Sequence, residues 1–456
     1  YMIDGLCTGW YEKVNEQGET KYVCITADGR LLDGNTGASR PNLFLQKYTK
    51  QGDDPSTPDV VESSYTSAWA IFAYDESKGL GAGPPEEPGT PNEGEADYLP
   101  EEGKNSLYHS FDFRNPDLVS AGTIINLPQK DITVNEDFTY TVNEGGNISY
   151  VVDETGNSIL VPQPVLDANG DPTGEVEDQV HINYENARRP RFIMQGKKAA
   201  VDSNSNTIMM ILYKEGEEGS GHPSDIMLRR VVVPDGDKGN PYRPENIVCN
   251  AWETADNGQT VCVDGAQNMS TVLPTVTTDS MGDPTSEDPY GAVKVVQWVQ
   301  TVDTLAWPSG VNRYEDARAH RGAIMGDFVV MGYSYTPNWA AFRNGNDKYD
   351  FFLRRSFDGG QTWTTDPAGS GVTHCMTWTY PSGTQSAGTK VEECNTYPAG
   401  EFEQARNMSQ LPNHKSSVIE PRIVKAPGTI KNPDGTETGY PEDINRFGMY
   451  YVSYGT

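Results

Sequence analysis

The segment Ser356-Phe-Asp358-Gly-Gly360-Gln-Thr362-Trp363 constrains what this chain can fold into more than any other stretch. In the pattern S-x-D-x-G-x-T-W each named residue has a mechanical task. The aspartate accepts hydrogen bonds from the backbone bent around it, the glycine supplies a positive φ, and the threonine and tryptophan anchor the turn on a sheet beneath. Such a turn needs β-structure to sit on, and composition agrees. The 456 residues include 24 Tyr, 8 Trp, 46 Gly and 31 Pro, while long periodic stretches of Leu, Ala, Glu and Lys are scarce, so many strands and turns are expected with little helix. No apolar run approaches the roughly 18 residues of a helical membrane span. The longest are Ile208–Tyr213 and Ala292–Val296.

A weak internal repeat sets the expected organisation. Each unit opens on Arg or Pro before an apolar strand and continues with two further strands. One unit runs Arg40–Leu45, Ala68–Tyr74, Ser106–Phe111; a second Arg189–Met194, Ile208–Tyr213, Asp225–Val231; a third Arg318–Ile324, Phe328–Ser334, Asp350–Ser356. A fourth begins at Glu420-Pro-Arg-Ile-Val424, and its strand Gly448–Tyr454 is expected to belong to a unit continuing past Thr456. The echo of Asp225-Ile-Met-Leu-Arg-Arg230 in Asp350-Phe-Phe-Leu-Arg-Arg355 marks the second and third as copies, because alternate residues then present the same pattern on each face. Between the units, residues 79–105 are acidic and rich in Pro and Gly and read as an exposed loop. Residues 131–180 carry hairpin spacing, with strands Phe138–Val142, Ile148–Val152 and Ser158–Val161 around the turns Asn143–Gly146 and Asp153–Gly156, and read as a protruding β-insert.

The Ser356–Trp363 segment resembles the Asp-box, or BNR, hairpin of sialidase-like β-propellers, where it is structural and lies away from the catalytic face. Ala317-Arg-Ala-His-Arg321, Tyr335-Thr-Pro-Asn-Trp339 and the stretch from Asn346 to Trp363 extend the likeness to a large group of Asp-box propellers in secreted surface proteins with varied C-terminal anchors. The resemblance implies an all-β, sialidase-like β-propeller of about six or seven blades over residues 1–456, incomplete in this chain, with inserted β-hairpins and loops. Sialidases hold a substrate carboxylate in an arginine triad beside a Tyr/Glu nucleophilic pair and an acidic proton donor. The unit-opening Arg40, Arg189, Arg318 and Arg422 are the matching candidates, because several guanidiniums facing one funnel can grip a carboxylate bidentately. The alternative is that each pairs with a carboxylate or caps a sheet edge. Spacing identifies no nucleophile or general acid.

Six cysteines form three short-range pairs, Cys7 with Cys24, Cys249 with Cys262 and Cys375 with Cys394, each flanking a turn-rich segment. Neighbour pairing is the expected connectivity among those that six cysteines allow, and disulfides imply an oxidising compartment, secreted or at the cell surface. Tyr1 is not an initiator, so a cleaved signal peptide or a late start is expected. A zinc site is disfavoured by the lack of Cys-x-x-Cys and of converging histidines. With 65 acidic and 35 basic residues the net charge is −30, which disfavours nucleic acid as a partner. Solubility, a cationic partner or calcium remain as readings of the acidity.

Two segments have oxygen ligands at calcium-like spacing. Asp167, Asn169 and Asp171 alternate, with Asp178 at the twelfth position, though Pro172 stands where an EF-hand needs Gly; Asn344, Asn346, Asp347 and Asp350 form a second cluster. A plain polar hairpin is the competing reading of the first. Trp307, Trp339 and Trp378 suit either sugar stacking or a core. Asn147, Asn268 and Asn407 each begin an N-x-S triplet of the glycosylation type. The function expected from these features is a secreted or cell-surface propeller acting in binding or extracellular assembly, calcium-stabilised, with extracellular proteins, copies of itself or glycans as partners. The alternative is a sialidase-like glycoside hydrolase.

Overall fold

The computed structural model describes residues 7–14, 20–26, 31–32, 37–52, 61, 64–77, 104–114, 122–126, 131–134, 140–143, 163–166, 172–177, 187–194, 207–216, 224–233, 240–254, 260–262, 264–277, 294–310, 312, 315–339, 342, 347–379, 390–411, 415–427, 434, 436, 442–450 and 453–455. The architecture is all-β, with helix limited to short pieces such as Pro244–Asn246 and Asp303–Ala306.

Three antiparallel meanders follow one another. The first sheet contains Gly37–Gln51, Ser64–Ser77, Lys104–Asp112 and Thr123–Ile124; the second Ala187–Met194, Thr207–Gly216, Ser224–Val233 and Gln267–Asn268; the third Asp316–Met325, Phe328–Thr336, Asp350–Ser356 and Arg406–Asn407. A fourth region pairs Arg422–Pro427 with Glu442–Tyr450, and Ser416–Val418 with Ser453–Gly455. The first strands of successive sheets are neighbours: Gly37–Gln51 lies by Ala187–Met194, which lies by Asp316–Met325, which lies by Arg422–Pro427. No sheet closes on itself among the described residues.

The three sheets are copies in detail. Each first strand carries a bulge at the same register position, between Ser39 and Asn42, between Arg188 and Arg191, and between Arg318 and Arg321. Inside it Arg40, Arg189 and Ala319 have φ of 52°, 56° and 56°. Side-chain-bearing residues hold this left-handed conformation only where the surroundings over-determine it. At Arg189 they do: its N–H donates to Asp75 Oδ1 and Oδ2 at 3.0 and 3.2 Å, and its carbonyl accepts from His320 Nε2 at 2.9 Å, so one bulge is gripped by both adjacent sheets.

The third and fourth strands repeat equally closely. Ile125, Met269 and Met408 donate their N–H groups to the carbonyls of Ser106, Ile226 and Phe351. One residue on, Asn126 Oδ1, Ser270 Oγ and Ser409 Oγ accept from the N–H of those same three residues at 3.0, 2.9 and 2.8 Å. Ser270 and Ser409 also donate to Asp225 and Asp350, at 2.8 and 2.6 Å. The N-x-S triplets at 268 and 407 are therefore strand clamps. Asn268 is fully buried, with its amide donating to Pro308 O, and offers no surface for a glycan.

The paired arginines of the echo also keep their roles. Arg229 Nε donates to Ile125 O of the preceding sheet at 2.8 Å, and its other nitrogens reach Asp264 O and Cys262 O; Arg354 reaches Met269 O of its preceding sheet and Glu403 O. Both are buried guanidiniums that reach main-chain carbonyls and so link each sheet to the one before, Arg229 through all three nitrogens and Arg354 through its two terminal ones. Sheet-to-sheet packing explains the run Ile208–Tyr213. Met209, Ile211 and Tyr213 face Trp69, Ile71 and Tyr108 of the first sheet, while Met210 and Leu212 join Val329, Met331 and Trp363 of the third. A strand buried on both faces loses the polar alternation of a surface strand. Close approach follows as well: a Cβ at Gly322 would lie 2.1 Å from Ile193 Cδ1.

The Asp358 turn matches its sequence reading in geometry. Asp358 accepts from the N–H groups of Gln361 and Thr362 and from Ser356 Oγ at 2.7 Å, Gly359 and Gly360 have φ of 69° and 80°, and Trp363 is buried with Nε1 donating to Gln267. It docks on the preceding sheet through Arg230 Nε to Gly359 O at 2.9 Å. From it the chain makes a long excursion, the hairpin Val372–Thr379 with Lys390–Tyr397, before returning as the fourth strand.

Cys249–Cys262 and Cys375–Cys394 are disulfides, as expected. The side chains of Cys7 and Cys24 lie outside the described residues; their strands, Cys7–Val14 and Thr20–Thr26, pair with each other. The expected loop at 79–105 lies outside the described residues except for 104–105, where the strand Lys104–Asp112 begins. In the 131–180 insert, Tyr140–Asn143 pairs with the upstream Asp131–Val134. The strands expected at 148–152 and 158–161 lie outside the described residues, and Gln163–Leu166 pairs with Pro172–Glu177.

Candidate functional site

Because the first strands are neighbours, their bulges bring arginines together. The register corrects the alignment of the candidates. Arg40 and Arg189 occupy equivalent bulge positions, but Ala319, not Arg318, is their counterpart in the third sheet; Arg318 is equivalent to Arg188 and Ser39. Beyond the bulge Arg191 is equivalent to Arg321, and Pro421-Arg422 repeats Pro190-Arg191 in sequence.

The centre of the cluster is Glu420. Its Oε2 lies 2.5 Å from Arg422 Nη1 and 3.3 Å from Arg321 Nη2. Hydrogen bonding and the charges of Arg422, Arg321 and Arg189 outweigh partial burial and hold its carboxyl below the usual range. Arg321 is lowered to about 10, first by burial and then by Arg191 and Arg422; Arg189 is lowered by burial and then by Arg40. These arginines remain protonated at neutral pH and crowd one another. Six guanidiniums, from Arg40, Arg189, Arg191, Arg318, Arg321 and Arg422, thus share one neighbourhood with Glu420 in a chain of net charge −30. Arg40 and Arg189 are exposed, and Arg191, Arg321 and Arg422 half-buried. Behind them His320 is fully buried and pushed down to about 3 by burial and the nearby arginines, so it stays neutral and adds no charge. A forked donor set of this kind suits carboxylate, sulfate or phosphate oxygens.

Beneath lies a buried polar network. Asp316 accepts from Ser224 Oγ at 2.7 Å and from Tyr349 Oη, and pairs with Lys214 Nζ at 3.1 Å; the Arg318 guanidinium stacks 3.6 Å above the Tyr349 ring. Tyr349 and Asp316 are 1% and 0% exposed, so this tyrosine–carboxylate pair is walled off from solvent.

The other sequence candidates are dispersed. Asp350 accepts from Ser409 Oγ and Leu411 N and lies 3.5 Å from Lys348 Nζ, and Asp347 accepts from Thr336 Oγ1 and Lys348 N; burial raises Asp347 to about 7. Asn344 and Asn346, like Asp167, Asn169, Asp171 and Asp178, lie outside the described residues. Among the described residues no three His, Cys, Asp or Glu side chains gather as a metal site. Trp307 is buried, Trp339 is half-buried and Trp378 lies outside the described side chains. His109 stacks against Phe72 and Tyr74, and His374 donates to Glu403 at 2.8 Å. Arg191, Arg321 and Glu420 are the site residues that sequence reasoning passed over. Aligning the units on Pro41, Pro190 and Pro421 instead of on the first arginine would have found Arg191 and Glu420. No family model, curated protein or solved structure matches this chain.

Proposed function

We propose that this chain is a sialidase-like β-propeller of an extracytoplasmic surface protein, and that its arginine cluster binds a small carboxylate-bearing or otherwise anionic ligand such as an acidic glycan. The observation that carries this reading is the convergence of arginines from successive first strands around the single carboxylate of Glu420. The two described disulfides accord with an oxidising compartment, and a four-strand meander repeated in three sheets, the first of them extended to six strands, with neighbouring first strands accords with propeller blades. Charge favours a small ligand over a polymer: at physiological salt, screening confines the attraction to about 8 Å, whereas a long polyanion would also meet the acidic remainder of the surface. Calcium remains part of the proposal through the oxygen-rich sequence at 167–178.

Titration calorimetry with acidic mono- and oligosaccharides and their neutral counterparts tests the reading. Saturable binding of the acidic set alone, lost in Arg191→Ala and Arg321→Ala with folding intact, is the expected result. Equal binding of neutral and acidic sugars, or binding untouched by both substitutions, would refute it. The hydrolase reading draws on the Tyr349–Asp316 pair under Arg318, and a fluorogenic sialoside turned over by the parent but not by Tyr349→Phe would establish it. Burial of both residues favours binding over hydrolysis.

A further inference from the structure

We propose that Glu420 is a tethered stand-in for the acidic group of the ligand: its carboxylate fills the anion position between Arg321 and Arg422, and an incoming carboxylate, sulfate or phosphate displaces it on binding. The inference rests on the reading of the arginine cluster as an anion site, and it names the residue that sets which ligands enter.

The repeat makes an acid the exception at this position. Glu420 stands two residues before Arg422, as Arg189 stands two before Arg191 and Ala319 two before Arg321; Arg40 holds the same place before Asn42. Proline follows alike at Pro41, Pro190 and Pro421. The units thus carry arginine, arginine, alanine and glutamate at one position, and the fourth places a negative charge where the first two place a positive one. That charge bridges two units, because Arg422 lies on Arg422–Pro427 and Arg321 on the first strand of the third sheet, Asp316–Met325.

The contacts are those of an exchangeable ligand. A single oxygen of Glu420, Oε2, serves both guanidiniums, at 2.5 Å from Arg422 Nη1 and 3.3 Å from Arg321 Nη2. A free carboxylate can present one oxygen to each, and sulfate or phosphate has a further one to spare. Neither arginine depends on Glu420 to stay in place: Arg321 Nη1 donates to His320 O at 2.6 Å, and Arg422 Nη1 to Pro421 O at 3.1 Å. The side chain of Glu420 is 49% exposed, so it swings into solvent without opening the core, and Arg422, 37% exposed, is reachable from outside. Exposed ion pairs are each favoured only by a factor of about two to five, so Glu420 competes with a ligand without locking the site. A neutral sugar brings no charge to replace the one it would displace, and Glu420 thereby sharpens the preference for acidic ligands.

The test is titration calorimetry on the full chain at constant ionic strength, with a sialic acid monosaccharide and inorganic sulfate as probes and galactose as the neutral control. Glu420→Gln keeps the shape of the side chain and removes its charge; Glu420→Ala removes the competing oxygens as well, and carries the test if the glutamine variant does not fold. The expected result is that both acidic probes bind the variants about twofold to fivefold tighter than the parent, or bind the variants alone, with galactose unaffected. Affinity equal to or weaker than the parent's in the variants would overturn the inference while leaving the anion site standing, because Glu420 would then only hold the arginines. Acidic probes that bind neither parent nor variants would overturn both.

Discussion

Single side chains decide much of the stability here through what they satisfy. Arg229 donates to three main-chain carbonyls inside the protein, and a methionine of similar length cannot do so. Arg229→Met is expected to cost about 3 kcal/mol or more, read by urea unfolding, since buried acceptors lose their donor. Glu403 offers a pH test. Burial opposes its charge, but hydrogen bonds from His374 and Arg355 and the charges of Arg355 and Arg406 prevail, so its pKa lies below the usual 4.5. A depressed carboxylate pKa contributes stability that is complete above the unfolded value and lost as pH falls through the folded one. Glu403→Gln should therefore lower stability by about 2 kcal/mol at pH 7, with the gap to the parent closing as pH falls below the ordinary carboxylate value and through the depressed one. A gap independent of pH would mean that packing, not charge, is what Gln disturbs.

Turns and bulges carry the repeat from element to element. At Gly360 φ is 80°, so the backbone requires glycine, and a Cβ there would also push on the end of the Met210 side chain, Cε lying 2.4 Å away. Gly360→Ala is expected to cost about 2 kcal/mol and to loosen the third sheet from the second. Amide exchange accelerated at Gln361 and Thr362 alone, with stability unchanged, would contradict the coupling. The Ser356–Trp363 turn was legible because its bonds are local: Asp358 reaches backbone only three and four residues away. The bulges were not. Arg40 and Arg189 look alike because both precede proline, but the equivalent Ala319 carries no side-chain signal, and what holds the Arg189 bulge, Asp75 and His320, comes from more than a hundred residues away in each direction.

Across the whole molecule, an acidic chain concentrates its arginines where successive first strands meet. Affinity for an acidic ligand should fall steeply as salt is raised toward about 1 M, where screening shortens to about 3 Å. Calorimetry at several salt concentrations checks this, and a flat response would point to contacts other than the guanidiniums. Reduction of the Cys249–Cys262 and Cys375–Cys394 disulfides gives an independent readout of how the excursions are tied down. Each loop closure is worth about 3 kcal/mol in the chain-entropy picture, so the reduced protein should unfold at markedly lower denaturant.

By itself the sequence determined the all-β class, the strands of the three units, the Asp358 turn and two of the disulfides, because each follows from local chemistry: alternation, turn residues and short-range cysteine pairs. Tertiary structure alone decided that N-x-S is a clamp rather than a glycan acceptor at Asn268, that Arg191 and Arg321 join the arginine cluster at equivalent positions, and that Ala319 rather than Arg318 is the counterpart of Arg189. The physical reason is range. Those roles depend on which sheet packs against which and in what register, and a single residue of bulge moves every later side chain to the opposite face.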